Sequence, residues 1–454
     1  MKIIIFGAGM VGGTIAQHLS IEGHDIHVID SDPMLLHDLQ ERLNIRSLQG
    51  EADDLELLSE VDIKRADIVL AATDSDSGNI VISLIVNSLN ANARIITWLR
   101  GEPFTSGLDI WRNYPLNEVR VISPEHSAVD MAMDLLEIPM SFEVVSFLNG
   151  RIRIAGFRLE ENSRLVGQRL DSLDAMMKTR TLVVAVQRGG EVIIPTGQFV
   201  FEPADRIHVA LIEGHELETH FEFMGLTFQT EIMKQTRITI AGGGRMAIHV
   251  ASRLEKLALR PTVIECNPDR CEFLSMRLQN SVVIRGNATD GKVLREYVDS
   301  RTTFISLTGN EESNFTSSLL ARRFGAKRAI TMLDNEDYLQ ASLDLGVDAA
   351  IHPRLSAVGS VLNYIRNSKV LEASLLAGGK LEALLVEVQP GSRLAKHPVK
   401  DASIPKGVIL AAAIKGGNIL LPDGNMTFSP KDKVLLLTPH TQNAYVDDLT
   451  LQTR

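Results

Sequence analysis

The sequence predicts an α/β protein built from two doubly wound parallel-sheet domains, each followed by a small α+β domain, as a tandem duplication. Three observations predict it. Short apolar runs alternate with helix-length segments, a glycine-rich turn follows the first such run of each half, and the second half repeats the first in order and spacing. The runs KIIIF, HDIHVID, ADIVLAA and ARIITWL are continuous rather than alternating. Strands buried on both faces look like this, and joining them through helices requires a parallel sheet with right-handed crossovers.

The elements follow in order. The first strand runs into GAGMVG at 7–12, and a helix is expected over 10–22. The second strand ends at Asp30 in HVIDSDP. Further helices are expected over 34–42, 78–91 and 125–136. In VAVQRGGEVIIPTGQFVFEPADRI, at 184–207, β-branched runs flank a Gly189-Gly190 turn and a Pro-x-Gly turn, which reads as a small antiparallel sheet.

The same order then recurs. IIIFGAGMVGGTIA at 3–16 matches ITIAGGGRMAIHVA at 238–251, and Glu265 stands as far beyond Gly242 as Asp30 stands beyond Gly7. QGEADD at 49–54 matches RGNATD at 285–290, and Thr73 with Asn79 matches Thr308 with Asn314. ITWLR at 96–100 matches ITMLD at 330–334, and ISPEHSAV at 122–129 matches IHPRLSAV at 351–358. The small sheet recurs as AAIKGGNILLPDGNMTFSPKDKV at 412–434. A repeat of this kind sets the architecture before any single motif does. The expected domains are residues 1–139, 140–228, 233–368 and 369–454.

Bulk properties agree. A chain of 454 residues exceeds one ordinary core and implies about three or four domains. Hydrophobic residues at 44% and charged residues at 23% are globular values. A net charge of -11 argues against binding to nucleic acid or anionic lipid. The longest uncharged run, Ser77 to Ala93, is interrupted by Asn and Ser and falls short of the ~20 apolar residues of a membrane span. The apolar start resembles a secretory signal, but a strand entering a glycine turn explains more of its residues. Cys266 and Cys271 are the two cysteines and form no CxxC, so a reducing cytoplasm fits.

GAGMVG has full GxGxxG spacing between a strand and a helix, which is the dinucleotide fingerprint of a Rossmann-type domain. Gly7 permits the tight turn, Gly9 admits a pyrophosphate and Gly12 allows helix and strand to pack closely. Unpaired amides at the start of the following helix face the phosphates, and Ala8, Met10 and Val11 complete the turn. Asp30 is placed to accept from ribose hydroxyls. In the second half Gly242, Gly243, Gly244, Arg245, Met246 and Ala247 form the turn, Ala247 replacing the third glycine, and Glu265 is the acid. Arg245 either approaches the phosphates or pairs with a carboxylate. GNATDGKV at 286–293 spells GxxxxGK but places Val293 where a P-loop needs Ser or Thr, so it reads as a turn.

No catalytic residue is expected. The histidines are scattered without HExxH or other metal spacing, no GxSxG elbow appears, and the small modules offer no paired His/Asp or His/Arg beside a nicotinamide position. A NAD-dependent oxidoreductase is the alternative, and a scaffold with vestigial glycine turns is a third reading.

The ordered motifs GAGMVG, Asp30, QGEADD, Thr73 to Asn79, ISPE and Pro-x-Gly, then GGGRMA, Glu265, RGNATD, TGNEESN, YIR and a second Pro-x-Gly, resemble those of the Trk-type potassium uptake regulatory proteins. That family duplicates the regulator of potassium conductance (RCK) domain, and the resemblance spans nearly the whole chain. It implies a cytoplasmic regulatory subunit, peripheral on the inner face of the membrane. It also implies a partner, the membrane potassium-translocating subunit, and a homo-oligomer, a tetramer forming a gating ring. The implied ligands are NAD(H) and ATP or ADP. By position it adds Asp53, Thr73, Asp74 and Arg100 to the first site and Thr308 to the second. One departure concerns the wall after the fifth strand: where the family carries Arg-x-Arg, this chain has Trp98-Leu99-Arg100, and Met332-Leu333-Asp334 in the repeat. Trp98 either stacks on adenine or fills core.

Overall fold

The computed structural model describes residues 1–51, 54, 57, 60–100, 119–172, 182–213, 237–366 and 370–439. The expected domain junctions at 228–233 and 368–369 lie outside them.

The first parallel sheet comes from β1 (Lys2–Phe6), α1 (Met10–Ile21), β2 (Asp25–Asp30), α2 (Pro33–Arg42), β3 (Arg46–Gln49), β4 (Ile68–Ala71), α3 (Asp76–Leu89), β5 (Arg94–Trp98) and β6 (Val119–Ile122). Its strand order is β3-β2-β1-β4-β5-β6, with every pair parallel. Ile3, Ile4, Ile5 and Phe6 are wholly buried, because helices cover both faces of the sheet. After α4 (Pro124–Glu137) comes an antiparallel sheet of β7 (Ser141–Phe147), β8 (Ile152–Arg158), β9 (Leu182–Arg188), β10 (Glu191–Ile193) and β11 (Arg206–Ile212), in the order β10-β9-β11-β8-β7.

The second parallel sheet uses β12 (Arg237–Ala241), α5 (Arg245–Lys256), β13 (Thr262–Glu265), α6 (Pro268–Arg277), β14 (Val282–Arg285), α7 (Gly291–Tyr297), β15 (Thr302–Ser306), α8 (Glu311–Arg323), β16 (Arg328–Met332), α9 (Glu336–Asp344) and β17 (Ala349–Ile351). Its order, β14-β13-β12-β15-β16-β17, repeats that of the first. After α10 (Pro353–Arg366), the second antiparallel sheet is formed by β18 (Val370–Leu376), β19 (Leu381–Glu387), β20 (Ile409–Lys415), β21 (Asn418–Leu420) and β22 (Lys433–Pro439). Its order is again that of its counterpart. The duplication is therefore complete at the level of topology.

The two helices that leave the parallel sheets, α4 and α10, do not stay with the strands before them. One compact unit contains Met1–Pro124 with Arg354–Leu375, and the other contains Glu125–Pro353 with Leu376–Pro439. In the first unit, Val358, Val361, Leu362 and Ile365 of α10 share a core with Ile3, Ile5, Ile68 and Leu70. In the second, Ala128, Val129, Ala132 and Leu135 of α4 share a core with Ile238, Ile240 and Val250. Each exchanged helix is held at its carboxyl end by the arginine that opens a fifth strand. Arg94 donates to the carbonyls of Tyr364 at 3.1 Å and Ile365 at 3.3 Å, and Arg328 donates to the carbonyls of Leu135 and Ser141. At Tyr364, Ile365 and Leu135, in the last turns of α10 and α4, the cation satisfies orphan acceptors and complements the helix dipole, while Ser141 opens the following strand β7.

Candidate functional site

Both glycine turns lie at the carboxyl ends of parallel strands, beside the pairs β1/β4 and β12/β15 where strand order reverses. Open α/β sheets leave a ligand crevice there. Gly7 and Gly242 have φ of 106° and 95°, a region that side chains disfavour. A Cβ on Gly7 would stand 2.5 Å from the carbonyl oxygen of Ala72, and one on Gly12 would stand 1.8 Å from that of Gly7. The fold itself demands these glycines. Gly9 is different, since a Cβ there meets nothing within 4 Å, and one on Gly244 meets only the Leu307 carbonyl at 4.0 Å. Open space over the middle glycine of each turn is room for an incoming group.

The helix starts point the same way. Side chains of Asp32, Ser75, Asn267, Asp290 and Asn310 cap α2, α3, α6, α7 and α8. By contrast, α1 and α5 begin at Gly9 and Gly244 without a side-chain cap. Their first-turn amides, including those of Met10, Val11, Arg245 and Met246, are left for an anion supplied from outside. The side chains of Val11, Met246 and Ala247 are themselves buried, so these residues offer backbone only.

Each acid is turned toward its turn. Asp30 Oδ2 accepts from the Ala8 amide at 2.6 Å and Oδ1 from the Asp32 amide at 2.9 Å. Glu265 Oε2 accepts from the Gly243 amide at 2.6 Å and Oε1 from the Asn267 amide at 2.7 Å. The carboxylates are thus oriented at the carboxyl ends of β2 and β13, where a ribose would reach them. The far walls are also built alike. Asn79 accepts from the Thr73 amide at 2.9 Å and from its hydroxyl at 2.7 Å, while its own amide donates to the Trp98 carbonyl at 2.9 Å. Asn314 does the same to Thr308, at 2.7 Å for both bonds, and reaches the Met332 carbonyl at 3.0 Å. These buried asparagines pin the loop after the fourth strand to the end of the fifth.

Three sequence readings resolve here. Trp98 is 4% exposed and belongs to the first sheet's core, so it fills core and offers no face to adenine. Arg245 pairs with Glu125, Nη2 to Oε1 at 2.6 Å, which turns its charge to a carboxylate rather than to phosphate. Arg100 folds back on its own wall, donating to the Asp74 carbonyl and lying 3.6 Å from the Asp76 carboxylate, while the Asp74 side chain is exposed. Asp53 lies outside the described residues.

Sequence reasoning missed the residue that most distinguishes the two sites. Arg270, on α6, donates through Nε to the Gly243 carbonyl at 2.6 Å. It lines a crevice of about 470 Å³ with Glu265, Asn287, Thr308 and Ser313. Its counterpart in the first half is the half-exposed Leu35. The signal was available, because the repeat offset that aligns Asp30 with Glu265 also aligns Leu35 with Arg270. Cys266 and Cys271 flank the second acid, and hydrogen bonding to Glu265 and burial respectively push their thiols up, so neither is poised as a thiolate.

Comparison with known proteins agrees with this geometry. The TrkA-N domain family matches residues 3–105 and 238–353, and the TrkA-C domain family matches 154–216 and 384–448. The chain is 30% identical over 450 residues to the Trk system potassium uptake protein TrkA of Halomonas elongata, covering 96% of this chain and 95% of that one. The chain belongs to the TrkA family. An archaeal relative, the TrkA homolog of Archaeoglobus fulgidus, is 27% identical over 99% of this chain and 100% of its own. Among solved structures the GsuK channel covers 98% of this TrkA-family chain and 78% of its own, at 17% identity and a TM-score of 0.58. The GsuK channel bound to NAD covers the same shares at 16% identity and a TM-score of 0.56. These structures share its fold. Its relatives bear the name of potassium uptake proteins, and none of those named here supports an oxidoreductase. No helix among the described residues is long and apolar enough to cross a membrane.

Proposed function

We propose that the chain is the nucleotide-sensing regulatory subunit of a Trk-type potassium uptake system, with an adenine nucleotide held at each glycine turn. One observation carries this reading. The two helices that follow the glycine turns start without a side-chain cap, and each has a carboxylate fastened to the turn beside it. In the first half Gly7 to Gly12 would cradle a pyrophosphate and Asp30 the ribose of NAD(H). In the second, Gly242 to Ala247, Glu265 and Arg270 would hold NAD(H) or ATP/ADP. The bound nucleotide undergoes no reaction. It acts by differential affinity for two conformations, which is the whole of what a ligand can contribute to a switch.

The subunit works in the cytoplasm as a homotetrameric ring, peripheral on the membrane and docked on the potassium-translocating subunit. The names of the TrkA relatives and the NAD-bound GsuK channel of like fold support this reading. Isothermal titration of the purified chain with NADH, NAD, ATP and ADP tests it. Two sites per chain are expected, Asp30→Ala weakening one and Glu265→Ala the other by roughly ten- to a hundred-fold, the loss of a charge-assisted hydrogen bond. No binding by any of the four nucleotides would sink the proposal.

A further inference from the structure

At the opposite end of the second parallel sheet, away from its glycine turn, a cavity of about 500 Å³ opens between that sheet and the first antiparallel sheet. Both belong to one compact unit. Ile238 and Thr303 lie near the amino ends of β12 and β15, Arg328 opens β16, and Phe142, Arg158 and Arg206 come from β7, β8 and β11. Nucleotide crevices of such folds lie at the carboxyl ends of strands, so this is a separate place.

The wall is cationic. Arg158, Arg206, Arg322, Lys327 and Arg328 face Glu160 and Asp348. Arg206 is paired with Asp344 at 3.1 Å, and Arg322 with Asp348 at 3.3 Å. Arg328 is the decisive residue. It is 7% exposed, its bonds go to two carbonyls and the Ser141 hydroxyl, all neutral, and its Nε is enclosed without a hydrogen-bond partner. Burial lowers it to about 10, still protonated at any physiological pH. Its repeat counterpart Arg94 does the same structural work while partly exposed to water. A buried guanidinium with no carboxylate bonded to it is costly; Asp348, paired with Arg322, offsets part of that cost without bonding Arg328, and an anion in the cavity would offset more of it. Leu136, Leu343 and Val347 supply an apolar side, and the size suits a small organic molecule.

We infer that this cavity is a second ligand site, for a small organic anion bearing a phosphate or carboxylate on an apolar body. Its occupant would bridge the first small sheet to the second parallel sheet and so stiffen the unit that carries the second glycine turn.

Isothermal titration of the intact chain with phenyl phosphate tests it, with benzoate separating carboxylate from phosphate and inorganic phosphate showing what the apolar body adds. Phenyl phosphate has no ribose to engage Asp30 or Glu265. Saturable binding of phenyl phosphate or benzoate at one per chain is expected, tighter than that of inorganic phosphate. It should persist in the Asp30→Ala, Glu265→Ala double variant and weaken roughly tenfold or more when Arg158 and Lys327 are both changed to Ala. Leu343→Trp fills the apolar side without removing a charge and should also abolish it, with circular dichroism showing each variant folded. Absence of saturable binding, loss of binding in the double acid variant, or indifference to both cavity changes would overturn the inference.

Discussion

The two glycine turns share a skeleton and differ in charge. Each acid bonds its turn at 2.6 Å, each helix start lacks a side-chain cap, and each asparagine latch ties the same loop to the same strand end. Around that skeleton the second half sets Arg270 against the turn, while the first has Leu35 there. The second also carries Arg245, paired with Glu125, where the first has the exposed Met10. Duplication has kept the backbone geometry of the turn and let the surrounding side chains diverge. If each half holds a nucleotide as proposed, Arg270 gives the second a demand for negative charge that the first lacks.

The strongest way to break the comparison is at the third position of the motif. In the first half a Cβ on Gly12 would stand 1.8 Å from the Gly7 carbonyl oxygen, whereas the second half accommodates Ala247 at 1% exposure. The second helix must therefore stand farther from its turn. Gly12→Ala is expected to cost about 1–3 kcal/mol of stability, as overpacking does, and to displace α1 enough to abolish nucleotide binding in that half. The mirror change, Ala247→Gly, should cost about 1–2 kcal/mol, through helix propensity and the loss of one buried methyl, and leave binding intact. Chemical denaturation and titration of both variants check this, and equal losses would mean that the two turns do not differ.

Why some of this was legible in the sequence and some was not follows from the range of the interactions. The glycines, the acids and the strand-helix alternation are local patterns, and their second copy removed the ambiguity of each. Helices expected over 10–22, 34–42, 78–91 and 125–136 are observed at Met10–Ile21, Pro33–Arg42, Asp76–Leu89 and Pro124–Glu137. The exchange of α4 and α10 was invisible, because an amphipathic helix records that one face is buried and not which sheet buries it. For the same reason nothing in the sequence marks Arg94 and Arg328 as the residues that hold the exchanged helices. Trp98 was ambiguous until its surroundings placed it in the core, and the pairing of Arg245 with Glu125 joins residues far apart in the chain.

The next contrast is in acid. Ser123 and His352 are counterparts in the repeat, and each has an enclosed side-chain atom without a hydrogen-bond partner. Only the second titrates. Burial holds the His352 imidazole down at about 4, against an ordinary value of 6.5. Above about pH 6.5 it is neutral folded and unfolded, and its contribution is complete. As pH falls from there toward 4, the unfolded chain takes up a proton that the folded chain refuses, and stability drops by up to ~1.4 kcal/mol per unit. Asp134 and Asp348, pushed up by burial, work in the opposite sense. The difference between the native chain and His352→Gln isolates the histidine. Urea unfolding at pH 7 and pH 5 should show the native chain losing about 2 kcal/mol more than the variant, and parallel losses would refute the assignment.

The smallest expected effect is the one that most sharpens the comparison. If Arg270 makes the second site more demanding of negative charge, Arg270→Ala should weaken ATP and ADP there by about tenfold, one charge-assisted hydrogen bond, and leave the first site untouched. Because Arg270 also bonds the Gly243 carbonyl, a purely structural role would lower stability along with affinity and would affect NAD as much as ATP. A role in charge recognition would instead affect ATP more than NAD and flatten the salt dependence of ATP binding. Leu35→Arg offers the converse, since placing a guanidinium beside the first turn should raise its affinity for ATP relative to NAD. Should neither substitution move the ratio of the two affinities, the divergence at this position concerns folding, and the halves discriminate nucleotides by some other wall.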